Sequence, residues 1–428
     1  MKKYLIPLFL ILPVLLSAYE HTGGARLDLN LNAPDINGIF MEASSTDRFS
    51  LWYKGSVNDL INISLEGALV YKGSAGFAVN LSQEFAYQGI EGDYYPDIKA
   101  ANVFGNYDFI YYRAGRQVMR DPSRLILSHQ ADGLNAGVRL GQGTLTAQLG
   151  YTGLVHHLAS SIAMTRSDLQ TDTTFGAPRF IEGLGWNQTE LLGDKVNLKL
   201  SLLAQQDLLD ESDVAADSEK LNTAYGQIRL DGYLLPALAY DGGFIYQMGS
   251  LGSYKSNGTA TELKLYYFPI RSLSFVSLGG LISSGETWDK RDDYYGQGAS
   301  ADQNQFMPIS SGSGKGYVLN ISPGNLTSLE LLLSLSRSKR FATEISTTTL
   351  MRTVDGPVSS SMIVNNGEDN LFIGQEALLA FLFRPTSDFG GSIKMGALYP
   401  GDAITLNELL EPFLPVLFRL GFNLSFSF

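Results

Sequence analysis

Phe418-Arg419-Leu420-Gly421-Phe422-Asn423-Leu424-Ser425-Phe426-Ser427-Phe428 ends the chain on a strict alternation. Every even position is a large apolar residue, and every odd position is polar, charged or glycine. A β-strand puts successive side chains on opposite faces, so this stretch reads as a strand with one apolar and one polar side. Left free, a terminal strand with such a face is an aggregation hazard. Pairing it with the first strand, so that the sheet closes on itself, removes the exposed edge and points to a barrel.

The same period runs upstream. Ile61, Ile63, Leu65, Leu69 and Tyr71 oppose Asn62, Ser64 and Glu66; Phe77, Val79, Leu81, Phe85 and Tyr87 oppose Asn80, Ser82 and Glu84. Leu134, Ala136, Val138 and Leu140 lead through Gly141-Gln142-Gly143 into Leu145, Ala147, Leu149 and Tyr151. Val196 to Leu202 and Leu329 to Leu335 repeat the pattern. Soluble sandwiches alternate too, but three features favour a membrane-spanning barrel. The strands, at about 9–13 residues, suit a tilted crossing better than the shorter strands of globular sheets. Tight turns at 192–195, 269–272, 322–325 and 384–388 alternate with polar loops at 118–131, 155–176, 207–220, 284–314 and 338–370, as in bacterial outer-membrane barrels. Aromatic residues, among them Tyr71, Tyr87, Tyr111, Tyr112, Tyr151, Trp186, Tyr240, Tyr266 and Tyr267, gather at strand ends, where they suit the two membrane interfaces.

Composition agrees. The 428 residues are 17% charged and 11% aromatic, with 45 Gly, no Cys and a formal net charge of −12. Aromatic and apolar content excludes disorder. The missing Cys excludes disulfides, thiolate metal sites, Cys nucleophiles and a lipidated N-terminal Cys. The acidic balance argues against nucleic acid as a partner. At the start, Lys2 and Lys3 precede an uncharged apolar run from Tyr4 to Leu16, followed by Ser17-Ala18. This is the layout of an export signal cut after Ala18; its run is short for a spanning helix. Residues 1–18 are thus expected to be a signal peptide and 19–428 a single all-β domain, a transmembrane antiparallel β-barrel.

Counting back from the end gives crossings at 48–54, 61–71, 76–87, 98–106, 108–117, 133–140, 144–154, 178–189, 195–206, 221–231, 237–248, 258–268, 272–283, 315–322, 327–337, 371–384, 388–398 and 416–428. That is eighteen strands, within a range of sixteen to twenty and even, as single-chain barrels are. Arg26–Leu31 with Gly38–Glu42 would raise the count to twenty, and Phe341–Met351 reads as a hairpin arm inside a long loop. No second domain is visible.

Two stretches resemble known families. Tyr112-Arg113-Ala114-Gly115-Arg116-Gln117 and, past a loop, Asp132-Gly133-Leu134-Asn135-Ala136-Gly137-Val138-Arg139 look like a recurring porin segment. Residues 373–376 through 383–385 to 398–403 resemble the C-terminal strands of the alginate-export family. That resemblance implies an eighteen-stranded outer-membrane porin with an arginine-rich lumen. The chain's acidic balance keeps the family's anionic polysaccharide from being carried over. The terminal Phe428 resembles the aromatic end by which outer-membrane barrels are recognised for assembly, which implies barrel-assembly machinery and outer-membrane lipids as partners.

Alternation names candidate pore-lining residues: Arg113, Arg139, Lys199, Arg229, Lys264 and Arg419 among bases; Glu66, Glu84, Glu182, Asp241, Glu262, Glu330 and Glu376 among acids. Their plainer role is cross-strand pairing that stiffens the wall; as a set, opposed signs would order polar solutes across the lumen. Enzymatic readings are weak. Of the four His, none falls on an expected wall strand, and His129 reads as a solvated loop residue. His156-His157 lacks further ligand spacing, and the loop acids Asp207, Asp210, Glu211, Asp213, Asp217 and Glu219 lack that of a calcium loop. No catalytic residue, metal or cofactor is assigned. The reading is an outer-membrane porin for small hydrophilic solutes. Its alternatives are a channel for a specific oligosaccharide or polysaccharide, and a surface adhesin anchored by a closed barrel. Loops 284–314 and 338–370 are the candidates for narrowing the pore.

Overall fold

The structure, a computed structural model, describes residues 20–36, 40–58, 60–79, 85–162, 165–170, 174–209, 220–269, 274–291, 294–295, 301–311, 314–360, 370–404 and 416–427. Its strands, in chain order, are β1 (Glu20–Ile36), β2 (Phe40–Asn58), β3 (Ile61–Val79), β4 (Phe85–Asn106), β5 (Ile110–Arg120), β6 (Ser128–Leu140), β7 (Gly143–Tyr151), β8 (Arg179–Gln188), β9 (Leu191–Asp194) and β10 (Asn197–Asp207). They continue as β11 (Leu221–Leu235), β12 (Leu238–Leu251), β13 (Tyr254–Tyr267), β14 (Phe275–Ser283), β15 (Leu326–Ser338), β16 (Phe341–Arg352), β17 (Phe372–Phe383), β18 (Phe389–Pro400) and β19 (Leu417–Ser427). All except β9, which lies in the turn between β8 and β10, form one sheet of eighteen antiparallel strands, each paired with its neighbours along the chain. The last strand closes on the first, from Arg26↔Ser427 to Ala33↔Leu420.

Strand β10 shows how alternation builds the wall. Leu200 and Leu202 point outward, the latter 63% exposed, while Ser201, Leu203, Gln205 and Asp207 are buried within. Register extends each face to the neighbours: Leu200 stands opposite Trp186 of β8 and Ile228 of β11. Cross-strand partners share a face, so the outside becomes a continuous belt that includes Leu149, Leu184, Leu263, Ile282, Leu329 and Leu331, all exposed. A belt of this extent on a water-soluble monomer would be anomalous; facing hydrocarbon, it is what a spanning barrel presents. Among the described residues no helix is long and apolar enough to cross a membrane, so crossing would fall to the strands.

The connections are asymmetric. At one end they span 59–60, 107–109, 141–142, 189–196, 236–237, 268–274, 339–340 and 384–388; at the other, 152–178, 208–220, 284–325, 353–371 and 401–416, with 37–39, 80–84, 121–127 and 252–253 the shorter members.

Eighteen strands agree with the sequence count, but the membership differs. The expected crossing 76–87 is the meeting of two strands: Phe77 pairs with Tyr87 and Val79 with Phe85 across a hairpin. In sequence the alternation of large and small residues continues from one strand into the next, so it reads as one strand. The expected strand 315–322 does not join the wall. Gly316 and Asn320 have φ of 78° and 50°, which a strand does not accommodate, and Lys315 bridges back to Ile321. In their place the wall gains β1 and β16; the latter, Phe341–Arg352, is no arm of a loop. Strands β1 to β4, at 17 to 22 residues, are longer than expected. Segments 118–120 and 128–131 extend β5 and β6, leaving a loop of 121–127. His129 therefore lies in β6, buried, with Nδ1 2.9 Å from the Ser161 hydroxyl, and is not a solvated loop residue. The expected turn 322–325 belongs to the loop before β15. Residues 1–18, Glu84, Phe428 and the loop acids 210–219 lie outside the described residues.

Candidate functional site

The long loop between β14 and β15 folds into the lumen. One oxygen gathers its middle and its last residue, since the Ser284 carbonyl accepts Phe306 N–H (3.1 Å) and Asn325 N–H (3.0 Å). Residues 303–311 and 314–322 form a strap that visits distant parts of the wall. Gln303 bridges to Ser256 of β13. Met307 N–H donates to the Gln247 amide oxygen (2.7 Å), and its carbonyl accepts the Tyr225 hydroxyl (2.6 Å). Ser310 bridges to Ile162 and donates its N–H to the Ile126 carbonyl (3.1 Å). Further on, Tyr317 to Leu319 meet β17 and β19. Phe306, Met307, Ile309 and Ile321 are fully buried, packed in one cluster with inward-facing Tyr225, Ile245, Leu281 and Leu326. Burial of side chains this size stabilises by about 1.5–3 kcal/mol each, which is why the strap lies inside the wall and not above it.

Polar groups fix its far end. Glu376 of β17 accepts the backbone N–H groups of Tyr317 (2.5 Å), Val318 (3.0 Å) and Leu319 (3.0 Å). Arg419 of β19 donates to the carbonyls of Tyr317 (2.8 Å) and Val318 (3.3 Å), and its guanidinium lies 5.1 Å from the Tyr317 ring centre. The ring sits in a socket made by absent side chains: a Cβ at Gly396 or at Gly421 would collide with it. Lys394 flanks the socket at 5.9 Å. Burial pushes the Tyr317 phenol above its ordinary range, against the opposing pull of Arg419. Each charge-assisted hydrogen bond here contributes about 1.5–3 kcal/mol. Glu376→Ala or Arg419→Ala should therefore loosen the strap without opening the barrel, and single-channel recordings should show more frequent steps between conductance levels than in the parent protein.

Below the strap, the lumen face of β10 to β13 carries an ion-pair ladder. Lys199 pairs with Asp231 (2.6 Å), Arg229 with Asp241 (2.6 Å) and Glu262 (3.3 Å), and Lys264 with Glu262 (3.1 Å). Register sets Lys199 opposite Arg229 and Asp231 opposite Asp241, so these like charges face one another and the Lys199–Asp231 and Arg229–Asp241 bridges run diagonally. Gly243 stands between Arg229 and Glu262; a Cβ there would touch the Arg229 stem at 3.4 Å, and its absence lets the guanidinium reach across β12. Lys315 of the strap joins the ladder at Glu262 (2.9 Å).

The other expected pore-lining residues have distinct places. Glu330 shares the inner side of β15 with buried Ser328 and Ser334. Glu66 stands opposite Trp52, in step with inward Val70. Arg113 lies over the Phe104 ring at 5.1 Å. Arg139 ties down the 107–109 turn through the Asp108 carbonyl (3.2 Å) and Asn106 (3.1 Å). Glu182 is a correction: it shares its side of β8 with exposed Leu184, opposite outward Leu149, and does not face the lumen. Its charge suggested the inner side, but it stands at the loop end of the strand, where the apolar belt gives out. Arg116 and Asp132, paired at 2.5 Å, also follow an outward parity, with Val118 and Leu134. The sequence reading did not single out Tyr317, Gly396 and Gly421; their role comes only from the seating of the strap's Tyr317 ring against the two glycines.

No family model matches the chain, the alginate-export resemblance included, and no curated protein matches it. Solved structures do. Pseudomonas aeruginosa OccK7 (OpdD) superposes with a TM-score of 0.59 at 9% identity, over 96% of this chain and 99% of that one. Acinetobacter baumannii OccAB1 gives 0.58 at 11% identity, over 96% and 97%. The outer membrane protein opdK from Pseudomonas aeruginosa gives 0.57 at 10%, over 95% and 99%. The chain has the fold of the Occ barrels. In this Occ-type barrel, the likeness extends along nearly the whole wall, from β1 to β19.

Proposed function

We propose that this chain is an outer-membrane channel giving passive, diffusive passage to small hydrophilic solutes. The observation that carries the reading is a strap seated within a closed wall that is apolar outside and charged within. A wall of eighteen strands encloses a wide lumen, and a strap held by Glu262, Glu376 and Arg419 narrows it while leaving polar surface for a solute to follow. The shared fold of an outer membrane protein, opdK, supports the location. By the usual layout of such barrels the short turns face the periplasm and the long loops the outside. Residues 1–18 would be removed on export, and the β19 end would be read by the barrel-assembly machinery.

Purified protein in planar lipid bilayers should give discrete, ohmic conductance steps. A bilayer that stays silent while the inserted protein keeps its β-type circular dichroism would sink the channel reading and favour a closed barrel that anchors the long loops as an adhesin.

A further inference from the structure

A cavity of about 260 Å³ lies where the strap meets β13 to β17. Its charged lining residues are Glu262, Lys264, Lys315, Glu330 and Glu376. Two of the carboxylates are committed: Glu262 to Arg229, Lys264 and Lys315, and Glu376 to three backbone N–H groups of the strap. Glu330 has no hydrogen bond or ion pair among the described residues. Beside it, Ser328, Ser346 and Thr348 line the same cavity at 6%, 6% and 7% exposure. None of the three hydroxyls has a protein partner among the described residues. None of these hydroxyl oxygens, nor the Glu330 carboxylate, is sealed from the lumen without a partner, so a solute can take up here the hydrogen bonds that water would otherwise make. Nearby, the Lys264 and Lys315 ammonium groups each make one ion pair, with Glu262, and Lys264 also feels the Glu330 charge, so donors remain on both.

We propose that this cavity is a binding subsite for a neutral, polyhydroxylated solute of monosaccharide size; the assignment rests on the channel reading above and names its substrate class. An anion would be drawn by two lysines but would meet three carboxylates. A cation would meet the converse. Neighbouring hydroxyls satisfy both walls without carrying charge: they donate to the free Glu330 carboxylate, accept from Lys264 and Lys315, and exchange hydrogen bonds with Ser328, Ser346 and Thr348. Gly279, Gly280, Gly314 and Gly316 line the cavity without side chains and leave the room for it. Glu330 is then a specificity-determining residue, and the strap supplies one wall of the subsite through Lys315.

The test uses the full barrel in two measurements. In detergent, calorimetric titration with glucose or sorbitol should show saturable binding that Glu330→Gln or Thr348→Val weakens roughly tenfold or more, as loss of a charged or buried hydrogen bond would. In bilayers, the same sugars should produce transient, concentration-dependent blocks of the current that shorten in both variants. Binding that does not saturate, binding unchanged in both variants, or tighter binding of succinate or putrescine than of glucose would overturn the assignment. Conductance without sugar binding removes the subsite and leaves the channel; sugar binding by a silent barrel keeps the subsite and removes the channel.

Discussion

Replacing residues 307–324 by a two-glycine link should raise single-channel conductance severalfold and flatten ion selectivity. The excision is mild for the wall because Phe306 and Asn325 already bond to the same Ser284 carbonyl, so the ends to be joined lie together. What it removes is the segment bridging Tyr225 and Gln247 on one side to Glu376 and Arg419 on the other. A lumen that eighteen strands hold wide would lose its main obstruction. The parent and the excised protein are compared in planar bilayers at equal salt. Unchanged conductance would move the narrowing to 353–358 or 401–404, whose Val358, Ala403 and Ile404 also reach the buried cluster.

Leu200→Arg should be among the most damaging single substitutions in the wall. Leu200 lies near the middle of β10 on the outer face, between Trp186 and Ile228. A cation at the bilayer midplane costs about 2–4 kcal/mol, a large part of the stability of most folds. Leu331→Arg on β15 should behave alike. Ser201→Arg, one residue along, points into the lumen towards Gln227 and should cost far less, shifting selectivity towards anions instead. Equilibrium refolding into lipid vesicles measures the first effect and reversal potentials the second. Equal costs at positions 200 and 201 would mean that the two faces are assigned the wrong way round.

The wall was legible in the sequence because its rule is local. Period two fixes facing wherever both faces have character, as in Leu198 to Leu202, Leu329 to Leu335 and the final strand. It fails where pairing partners lie near in sequence: across 76–87 the alternation cannot tell one strand from two that meet at a turn. It failed again at 315–322, where Tyr317, Leu319 and Ile321 alternate as a strand would, although left-handed residues on either side take the chain out of the sheet. The candidate site was half legible. Arg229, Asp241, Glu262 and Lys264 could be placed by parity, and the diagonal Arg229–Asp241 pair is what neighbouring strands allow; the reach of Arg229 across β12 to Glu262 was not readable. That Glu376 and Arg419 hold a loop was not readable, since their partners are backbone groups 57 to 102 residues away. Glu182 shows the cost of placing a residue by its charge alone.

The near part of the strap is seated on strands that precede it, by Tyr225, Gln247 and Ser256, and its far end on strands that follow it. Glu262 precedes it, but Glu376, Gly396, Arg419 and Gly421 lie on β17, β18 and β19, and β19 is also the strand that closes the sheet on β1. Contacts this far apart in sequence are slow to form. The far end of the strap is thus unseated for as long as the seam is open, and its docking becomes the last event of maturation, which leaves the Tyr317 socket on β18 and β19 exposed to misassembly until then.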